Sequence, residues 1–249
     1  MNFSFPIKLD KENCERKLLS IKRLLAFPRR IIARIITYSL LTKNGVIIVY
    51  SDPKRSKVIN LIRKIKSENE ILMGNHEAYQ IFMAVRRTEK IKGDISEAGI
   101  YMGGSAKLIS EAKGNKTLHL FDTFEGLPDL CPKDNPRQFH KGQYPSSLKN
   151  VKDYLKKYQD VHFYKGIFPL TTEPIKNKRF SFVHLDLDLH EYTLEGLKFF
   201  YPRMNKGGII MLHDYMSSLG VTRAVDEFFK DKPEPIIETS DSQCLIVKV

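Results

Sequence analysis

Two short clusters of acidic and histidine side chains could do chemistry, and each follows a short apolar run. The clusters are Asp186, Asp188 and His190, and farther along the chain His213 and Asp214. The apolar runs, residues 182–185 and 207–212, are separated by a segment of helix length, which predicts a βαβ unit with parallel, buried strands. Because ligands bind at the carboxyl ends of parallel strands in an open α/β sheet, we expect both clusters to face one site.

These clusters predict a metal site. Asp186 and Asp214 would lie side by side if the two strands are neighbours, and two facing carboxylates without a cation would repel each other. A divalent cation removes this conflict. Carboxylate oxygens suit Mg²⁺ or Mn²⁺, whereas an imidazole from His213 shifts the preference toward Mn²⁺, Fe²⁺ or Zn²⁺. We therefore predict Asp186, His213 and Asp214 as metal ligands; in the alternative, two of them only cap the helices that follow.

The same clusters contain candidates for proton transfer. A metal that binds a substrate hydroxyl lowers its pKa, and Asp188, beside the metal site, is then the natural proton acceptor. Without a metal, His213 or His190 could act as a general base near neutral pH. His190 could also be a surface residue between strand and helix. The predicted catalytic residues are Asp186, Asp188 and His190.

A glycine-rich turn followed by an aspartate indicates a nucleoside-binding site. The turn GIYMGGS, residues 99–105, follows a predicted strand, and its glycines permit positive φ and close approach of a ligand. Ser105 could cap the helix that follows. The spacing is GxxxGG, which is not the dinucleotide fingerprint GxGxxG. Asp122 ends the next strand 19 residues after Gly103, where an acid can bind ribose hydroxyls.

One α/β domain over residues 67–249 is predicted to position these groups. The predicted strands are residues 93–98, 117–121, 161–164, 182–185, 207–212, 236–237 and 244–249. The predicted helices are residues 76–87, 151–158, 193–204 and 220–229, with another beginning near residue 105. The polar segment 129–150 is typical of a lid or binding loop, in which Arg137, His140 or Tyr144 could touch a substrate.

The net charge of +12 is concentrated at the N-terminus. Residues 1–66 hold 16 Lys and Arg against 4 Asp and Glu, so residues 67–249 are close to neutral. We predict a basic helical extension over residues 1–66, which includes a short strand at 45–50 and a basic helix at 58–66.

Within this extension, residues 17–41 have the pattern of a basic amphipathic helix, which Pro28 must bend or divide. The helix could lie on an anionic membrane surface, where each basic residue contributes about 1 kcal/mol, or pack its apolar stripe on the protein's own core. Nucleic acid is not expected as a partner, because aromatic residues for stacking are sparse among the basic positions.

Cysteine usage favours a reducing compartment. Cys14, Cys131 and Cys244 are odd in number and far apart, which disfavours a disulfide framework and a zinc site. No apolar run approaches the roughly 20 residues that span a bilayer. We expect a cytoplasmic protein, which residues 17–41 could attach to the inner face of the membrane.

Six motifs, taken in order, resemble one family of methyltransferases. They are GDISEAGIYMGGSAKL (93–108), FDTFEGLP (121–128), KGIFPLT (165–171), HLDLDLHEYT (184–193), YPRMNKGGIIMLHDY (201–215) and GVTRAVDEFF (220–229). Through them, residues 76–249 resemble the macrocin O-methyltransferase family, the TylF/MycF-type sugar methyltransferases that use S-adenosylmethionine (SAM). The resemblance implies a Rossmann-like SAM-methyltransferase fold, with helices on both faces of a mostly parallel seven-stranded sheet whose last strand is antiparallel. It also implies methyl transfer to a sugar hydroxyl, assisted by Mg²⁺.

The resemblance also assigns cofactor and metal residues. Glu97, Gly99 and Gly103 would line the methionine and ribose end of SAM. Asp122 would bind the ribose hydroxyls, and residues 166–168 would border the adenine. The complete predicted cofactor set is Glu97, Gly99, Tyr101, Gly103, Ser105, Asp122, Thr123, Phe124, Gly166 and Phe168. The metal ligands implied by the resemblance are Asp186, Asp214 and the residue at the His213 position.

Two positions depart from the family pattern. Many members carry two acids where this chain has His213 and Asp214, and many have a tyrosine at the position of His190. The first departure leaves Mn²⁺ open beside Mg²⁺, and it leaves metal-independent catalysis open. The second departure concerns the side of the site that faces the substrate.

The sequence thus predicts a SAM-dependent O-methyltransferase that acts on a hydroxyl of a sugar, in a glycan, a polysaccharide precursor or a glycosylated metabolite. Two alternatives stay open. One is a catechol-type enzyme that methylates phenolic hydroxyls, and the other is a non-catalytic protein that binds a nucleotide or a nucleotide sugar. The acceptor, the position methylated and the oligomeric state, a homo-oligomer included, do not follow from the sequence.

Overall fold

The computed structural model describes residues 53–239 and 241–249. The amphipathic helix predicted over residues 17–41 and the strand predicted over residues 45–50 lie outside the described residues. Among the described helices, none combines the length and the apolar character needed to cross a membrane.

Seven strands form one sheet. They are β1 (Asp94–Ala98), β2 (Leu118–Asp122), β3 (Val161–Lys165), β4 (Phe180–Leu185), β5 (Met204–Leu212), β6 (Ile237–Glu238) and β7 (Cys244–Val247). Their order across the sheet is β3-β2-β1-β4-β5-β7-β6. Strands β1 to β5 pair in parallel, and β7 runs antiparallel to both β5 and β6. The predicted mostly parallel seven-stranded sheet with an antiparallel last strand is confirmed.

Helices cover both faces of this sheet. They are α1 (Pro53–Glu68), α2 (Asn75–Arg87), α3 (Gly104–Ala112), α4 (Leu148–Leu155), α5 (His190–Phe200) and α6 (Leu219–Phe229). In one hydrophobic cluster, helices α1, α2, α3 and α4 pack against one face of the sheet. In a second cluster, α5 and α6 pack against the other face. Each helix therefore stabilises the fold by burying one apolar stripe against the sheet.

Helix α1 shows this directly. Its apolar residues recur at helical spacing, and those that are buried are Val58, Ile59, Ile62 and Ile65. Val58, Ile62 and Ile65 pack in the same cluster as α2 and α3, while every lysine and arginine of α1 except the half-buried Lys66 is exposed. The boundary predicted at residue 66 between extension and domain therefore falls inside α1.

Two element boundaries differ from the prediction for physical reasons. Strand β5 begins at Met204 rather than at residue 207, because a bulge shifts its register with β4 and Gly207 takes a φ of +79° within the strand. Helix α5 covers 190–200 rather than 193–204, because a short 3₁₀ turn, Tyr201–Arg203, follows its last residue and leads into β5.

Candidate active site

A cleft opens at the carboxyl ends of β1, β2, β4 and β5. Its empty space, counting the open mouth, is about 1200 Å³. Both clusters singled out in the sequence contribute to it, as do the glycine-rich turn and Asp122.

The two strand ends predicted to be neighbours are neighbours. Leu185 at the end of β4 pairs with Leu212 at the end of β5. The sheet hydrogen bonding continues one residue further, since the His213 amide donates to the Leu185 carbonyl at 2.9 Å and the Asp186 amide donates to the Ala98 carbonyl at 2.9 Å. Asp186 and His213 are therefore held by the backbone of the sheet itself.

Asp186, His213 and Asp214 bring three potential ligand atoms together, all within 4.8 Å of one another. His213 Nδ1 lies 3.3 Å from Asp186 Oδ1 and 3.1 Å from Asp214 Oδ2. Neighbouring ligands in an octahedral shell of about 2.1 Å radius are about 3 Å apart, so this spacing suits a divalent cation. His213 is 7% exposed, and within the described part of the chain neither ring nitrogen makes a hydrogen bond of good geometry. A buried nitrogen without a hydrogen bond fits a metal ligand.

The electrostatics of this cluster favour a positive charge among its carboxylates. Burial disfavours a charged imidazole, yet the surrounding carboxylates, Asp186 foremost, outweigh burial and raise the pKa of His213 well above its ordinary range. Burial and the charges of Asp186 and Asp214 raise the pKa of the Asp188 carboxyl. A bound cation would reverse this repulsion among the carboxylates.

Asp188 and His190 have different surroundings. Asp188 lines the cleft and is held at φ +61°, a conformation that aspartate tolerates better than most residues. His190 begins α5 and does not line the cleft. Its Nε2 lies 3.0 Å from Lys133 Nζ and 3.4 Å from Glu227 Oε2, two residues that do not line the cleft. The predicted catalytic role of His190 is not supported by this placement, because its contacts are with Lys133 and Glu227, while Tyr192 of the same helix turn lines the cleft.

The glycine-rich turn touches the acidic cluster through Gly99. This residue has a φ of +84°, and a Cβ placed on it would lie 1.8 Å from the carbonyl oxygen of Asp186. Only glycine fits there. The turn and the end of β4 are therefore in backbone contact, which places a ligand on the turn next to the acidic cluster.

Asp122 organises the turn. Its Oδ2 accepts hydrogen bonds from the amides of Ile100 (2.8 Å) and Tyr101 (2.9 Å), and its Oδ1 accepts one from the Phe124 amide at 2.6 Å. Burial raises the pKa of the Asp122 carboxyl, against the opposing effect of these amides. Because a carboxylate oxygen can accept two hydrogen bonds, Oδ1 keeps one lone pair for a ribose hydroxyl.

Seven of the ten predicted cofactor residues line the cleft: Gly99, Tyr101, Ser105, Asp122, Thr123, Gly166 and Phe168. The other three do not. Glu97 is fully buried and its Oε1 lies 2.9 Å from His184 Nδ1 on the neighbouring strand, Phe124 packs in the core, and Gly103 caps α3 against Val151. These three residues support the walls of the cleft from behind.

The predicted loop over residues 129–150 closes one side of the cleft. Phe139, Gln143 and Tyr144 line it, whereas Arg137 and His140 are exposed and do not. The Tyr144 ring meets the Tyr101 ring edge-on, with centroids 6.0 Å apart. Of the three residues proposed for substrate contact, Tyr144 alone is in position to make it.

The sequence interpretation missed two contributors to this site. The segment 70–73 between α1 and α2 lines the cleft, and its mostly apolar residues carry no chemical signal. Glu77 on α2 is 4% exposed, and its Oε2 lies 3.4 Å from His213 Nε2. The sequence carries no signal for Glu77, because the cap residue Gly74 has no side chain to complete a capping box with it.

Comparison with known proteins identifies the family. Residues 72–245 match the model of the family described as macrocin-O-methyltransferase (TylF). The chain belongs to the macrocin-O-methyltransferase family. The match covers the whole cleft from residue 72 onward, including both strand ends and the glycine-rich turn.

Among relatives in this family, two are similar over about 140 residues. A tetracenomycin C 4′-O-methyltransferase of Streptomyces olivaceus, whose full name specifies a dimethoxy-rhamnosyl substrate, is 27% identical and covers 50% of this chain and 54% of its own. The mycinamicin III 3″-O-methyltransferase of Micromonospora griseorubida is 28% identical and covers 50% and 56%. The chain thus spans little more than half the length of the relatives it matches.

Solved structures with the same fold include the O-methyltransferase NovP, with a TM-score of 0.67 and 20% identity over 79% of this chain and 98% of that chain. The calicheamicin methyltransferase CalS11 has a TM-score of 0.60 and 16% identity over 83% of this chain and 98% of that chain. At these identities the likeness shows the fold, which is that of the O-methyltransferases of the macrocin-O-methyltransferase family.

Proposed function

We propose that the protein is a SAM-dependent O-methyltransferase that transfers a methyl group to a hydroxyl of a sugar in a glycan or a glycosylated metabolite. The observation that carries this proposal is the backbone contact between Gly99 and Asp186. It puts a nucleoside-binding turn directly beside a set of acids that can hold an acceptor hydroxyl. Membership of the macrocin-O-methyltransferase family supports the reaction class, and the rhamnosyl relative supports a sugar as acceptor.

The chain's own residues would bind and orient the cofactor. SAM supplies a methyl group on a positively charged sulfur with a good leaving group. Asp122 Oδ1 would accept a hydrogen bond from the ribose, and Gly166 and Phe168 would border the adenine. The turn at Gly99 would then direct the methyl end toward Asp186. Holding methyl carbon and acceptor oxygen in line contributes about 7–11 kcal/mol to lowering the barrier.

The acidic cluster would hold a divalent cation and the acceptor. Asp186, His213 and Asp214 would ligate the cation, Mg²⁺ or Mn²⁺, whose chemistry is to bind a hydroxyl oxygen and lower its pKa. Asp188 lines the cleft beside these residues and would accept the hydroxyl proton. Tyr144 would contact the acceptor from the loop side.

Ligand protection against thermal unfolding tests the cofactor, and a methyl-transfer assay tests the acceptor. We expect SAM to raise the melting temperature while NAD and UDP-sugars do not, and we expect labelled methyl to appear on a rhamnoside rather than on a catechol. Protection by UDP-sugars without protection by SAM would favour a non-catalytic binding protein. Methylation of catechol alone would show that the acceptor is a phenol and not a sugar.

The cation has its own test in Asp214→Ala. Removing this carboxylate deletes one of three ligands, so we expect the rate of methyl transfer to fall by about 10-fold to 100-fold or more, with SAM affinity close to wild type. Titration calorimetry with SAM, beside the rate at fixed Mn²⁺, measures both quantities. Full activity of the wild-type protein in excess chelator would rule out metal assistance.

We also propose that residues 17–41 bind an anionic membrane surface, because apolar and basic positions alternate there at helical spacing. Deleting residues 1–45 is expected to abolish binding to vesicles that contain phosphatidylglycerol while SAM affinity persists. Sedimentation with vesicles of neutral lipid serves as the control. Vesicle binding that survives the deletion would refute this assignment.

A further inference from the structure

Glu77 is an acid near the proposed metal site that comes from a helix rather than from a strand end. It lies in the first turn of α2, a helix that otherwise packs against the sheet with apolar residues. Glu77 Oε2 is 3.4 Å from His213 Nε2, while the Nδ1 atom on the other side of the same ring is 3.1 Å from Asp214 and 3.3 Å from Asp186. The imidazole thus stands between Glu77 on one side and the proposed cation position on the other.

The Glu77 carboxylate is fixed before any ligand binds. Its Oε2 accepts a hydrogen bond from the Gly74 amide at 2.7 Å. Its Oε1 accepts two more from Ser242, from the amide at 3.0 Å and from the hydroxyl at 2.6 Å. Burial alone would raise the pKa of Glu77, but His213 together with Ser242 and Gly74 lowers it to about 2. A carboxylate held from two sides cannot turn away from His213.

An imidazole that ligates a metal through one ring nitrogen needs a hydrogen-bond acceptor at the other ring nitrogen. A histidine that offers Nδ1 to a metal must carry its proton on Nε2, and the group that accepts this proton sets the tautomer and the ring orientation. In this chain the only charged group at Nε2, within the described residues, is Glu77. The His213 ring is 7% exposed, and its nitrogens make no hydrogen bond of good geometry within residues 53–239 and 241–249. Glu77 is therefore the charged group placed to orient the ring from its Nε2 side.

We propose that Glu77 is a positioning residue for a divalent cation: it holds the His213 ring with Nδ1 toward Asp186 and Asp214, and the resulting nitrogen ligand makes the site prefer Mn²⁺ over Mg²⁺. This inference rests on the metal site of the proposed function. An imidazole nitrogen favours transition metals, whereas Mg²⁺ favours an all-oxygen shell. Where many family members have a carboxylate ligand, this chain thus has the nitrogen ligand His213, which Glu77 holds in position.

Direct metal binding tests this without any activity measurement. Free Mn²⁺ is counted by its electron paramagnetic resonance signal during titration of the full chain, and Mg²⁺ is added as the competitor. We expect Glu77→Gln to weaken Mn²⁺ binding by about 10-fold to 100-fold. Glutamine keeps one oxygen acceptor for the two hydrogen bonds from Ser242 and loses only the acceptor for the Gly74 amide, so the fold should persist. Unchanged Mn²⁺ affinity in Glu77→Gln would overturn the proposal.

A matched control is Glu234→Gln. Glu234 is equally buried, but it binds Lys248 (2.6 Å) and Tyr201 (2.8 Å) where Glu77 contacts His213. We expect this variant to lose stability without losing Mn²⁺ affinity. If it loses Mn²⁺ affinity as strongly as Glu77→Gln does, the effect of Glu77 is on the fold and the proposal fails.

The variant His213→Asp shows whether Glu77 acts through His213. It restores an all-oxygen ligand set, so the preference for Mn²⁺ over Mg²⁺ should shrink at least 10-fold. In this background Glu77 faces a carboxylate, and Glu77→Gln should no longer weaken Mn²⁺ binding. An equal loss in both backgrounds would contradict the positioning role. Thermal protection by SAM, measured on each variant, keeps a failure here separate from a failure of the proposed function.

Discussion

Replacing Asp188 with asparagine is expected to slow methyl transfer by about 10²–10⁴-fold, the range associated with loss of a general base. Asp188 lines the cleft beside Asp186 and Asp214 and is the carboxylate left to accept the hydroxyl proton. Asparagine tolerates a positive φ nearly as well as aspartate, so the turn at φ +61° should persist. SAM affinity should stay near the wild-type value, because the predicted cofactor contacts lie on β1, β2 and the loop after β3.

Single-turnover kinetics with labelled SAM measure the chemical step, and calorimetry measures the cofactor affinity. His190→Gln is the matched control, because His190 is two residues away in sequence but contacts Lys133 and Glu227 outside the cleft. This control should keep a rate close to wild type. A large loss in His190→Gln together with a small loss in Asp188→Asn would exchange the roles of the two residues.

Gly99→Ala is expected to remove SAM binding and to destabilise the protein by about 4 kcal/mol or more, the range reached when a mutation forces backbone apart in a core. The added Cβ would lie 1.8 Å from the Asp186 carbonyl oxygen, so either the turn or the end of β4 must move. Both parts form the site. We therefore expect Gly99→Ala to disrupt both the glycine-rich turn and the proposed metal site.

Urea unfolding and calorimetry with SAM measure these two effects. Gly114→Ala is the matched control, since Gly114 also has a positive φ, +61°, but an added Cβ there meets nothing within 4 Å among the described atoms. It should cost about 1–2 kcal/mol for the backbone conformation alone, with SAM binding intact. Equal losses in the two variants would show that φ, rather than contact with Asp186, makes glycine necessary at position 99.

The sequence predicted the parts of this site that obey a local rule. Apolar runs that stop at Asp186 and at His213 indicated buried parallel strands, and the rule that such strands present their carboxyl ends at one edge of the sheet predicted the cluster. The glycine-rich turn and Asp122 followed from the same rule. The seven-stranded sheet with an antiparallel last strand came from the resemblance to the methyltransferase family rather than from periodicity, and the order β3-β2-β1-β4-β5-β7-β6 came from the structure.

Tertiary contacts decided the parts that the sequence could not predict. Glu77 reaches His213 only because α2 packs on the sheet, and no local sequence pattern indicates that contact. His190 and Asp188 are two residues apart, and the direction of each side chain depends on the backbone turn at Asp188. Glu97 carries the right type of side chain for a cofactor, but it faces His184 in the sheet.

A crystal structure of the protein with S-adenosylhomocysteine and Mn²⁺ tests the central claim most directly. The cleft should hold the nucleoside between Asp122 and Phe168, with the homocysteine end over Gly99. An anomalous peak for Mn²⁺ should lie among Asp186, His213 and Asp214, on the Nδ1 side of the His213 ring. Cofactor density away from the Gly99 turn, or a Mn²⁺ peak that these three residues do not ligate, would contradict the account.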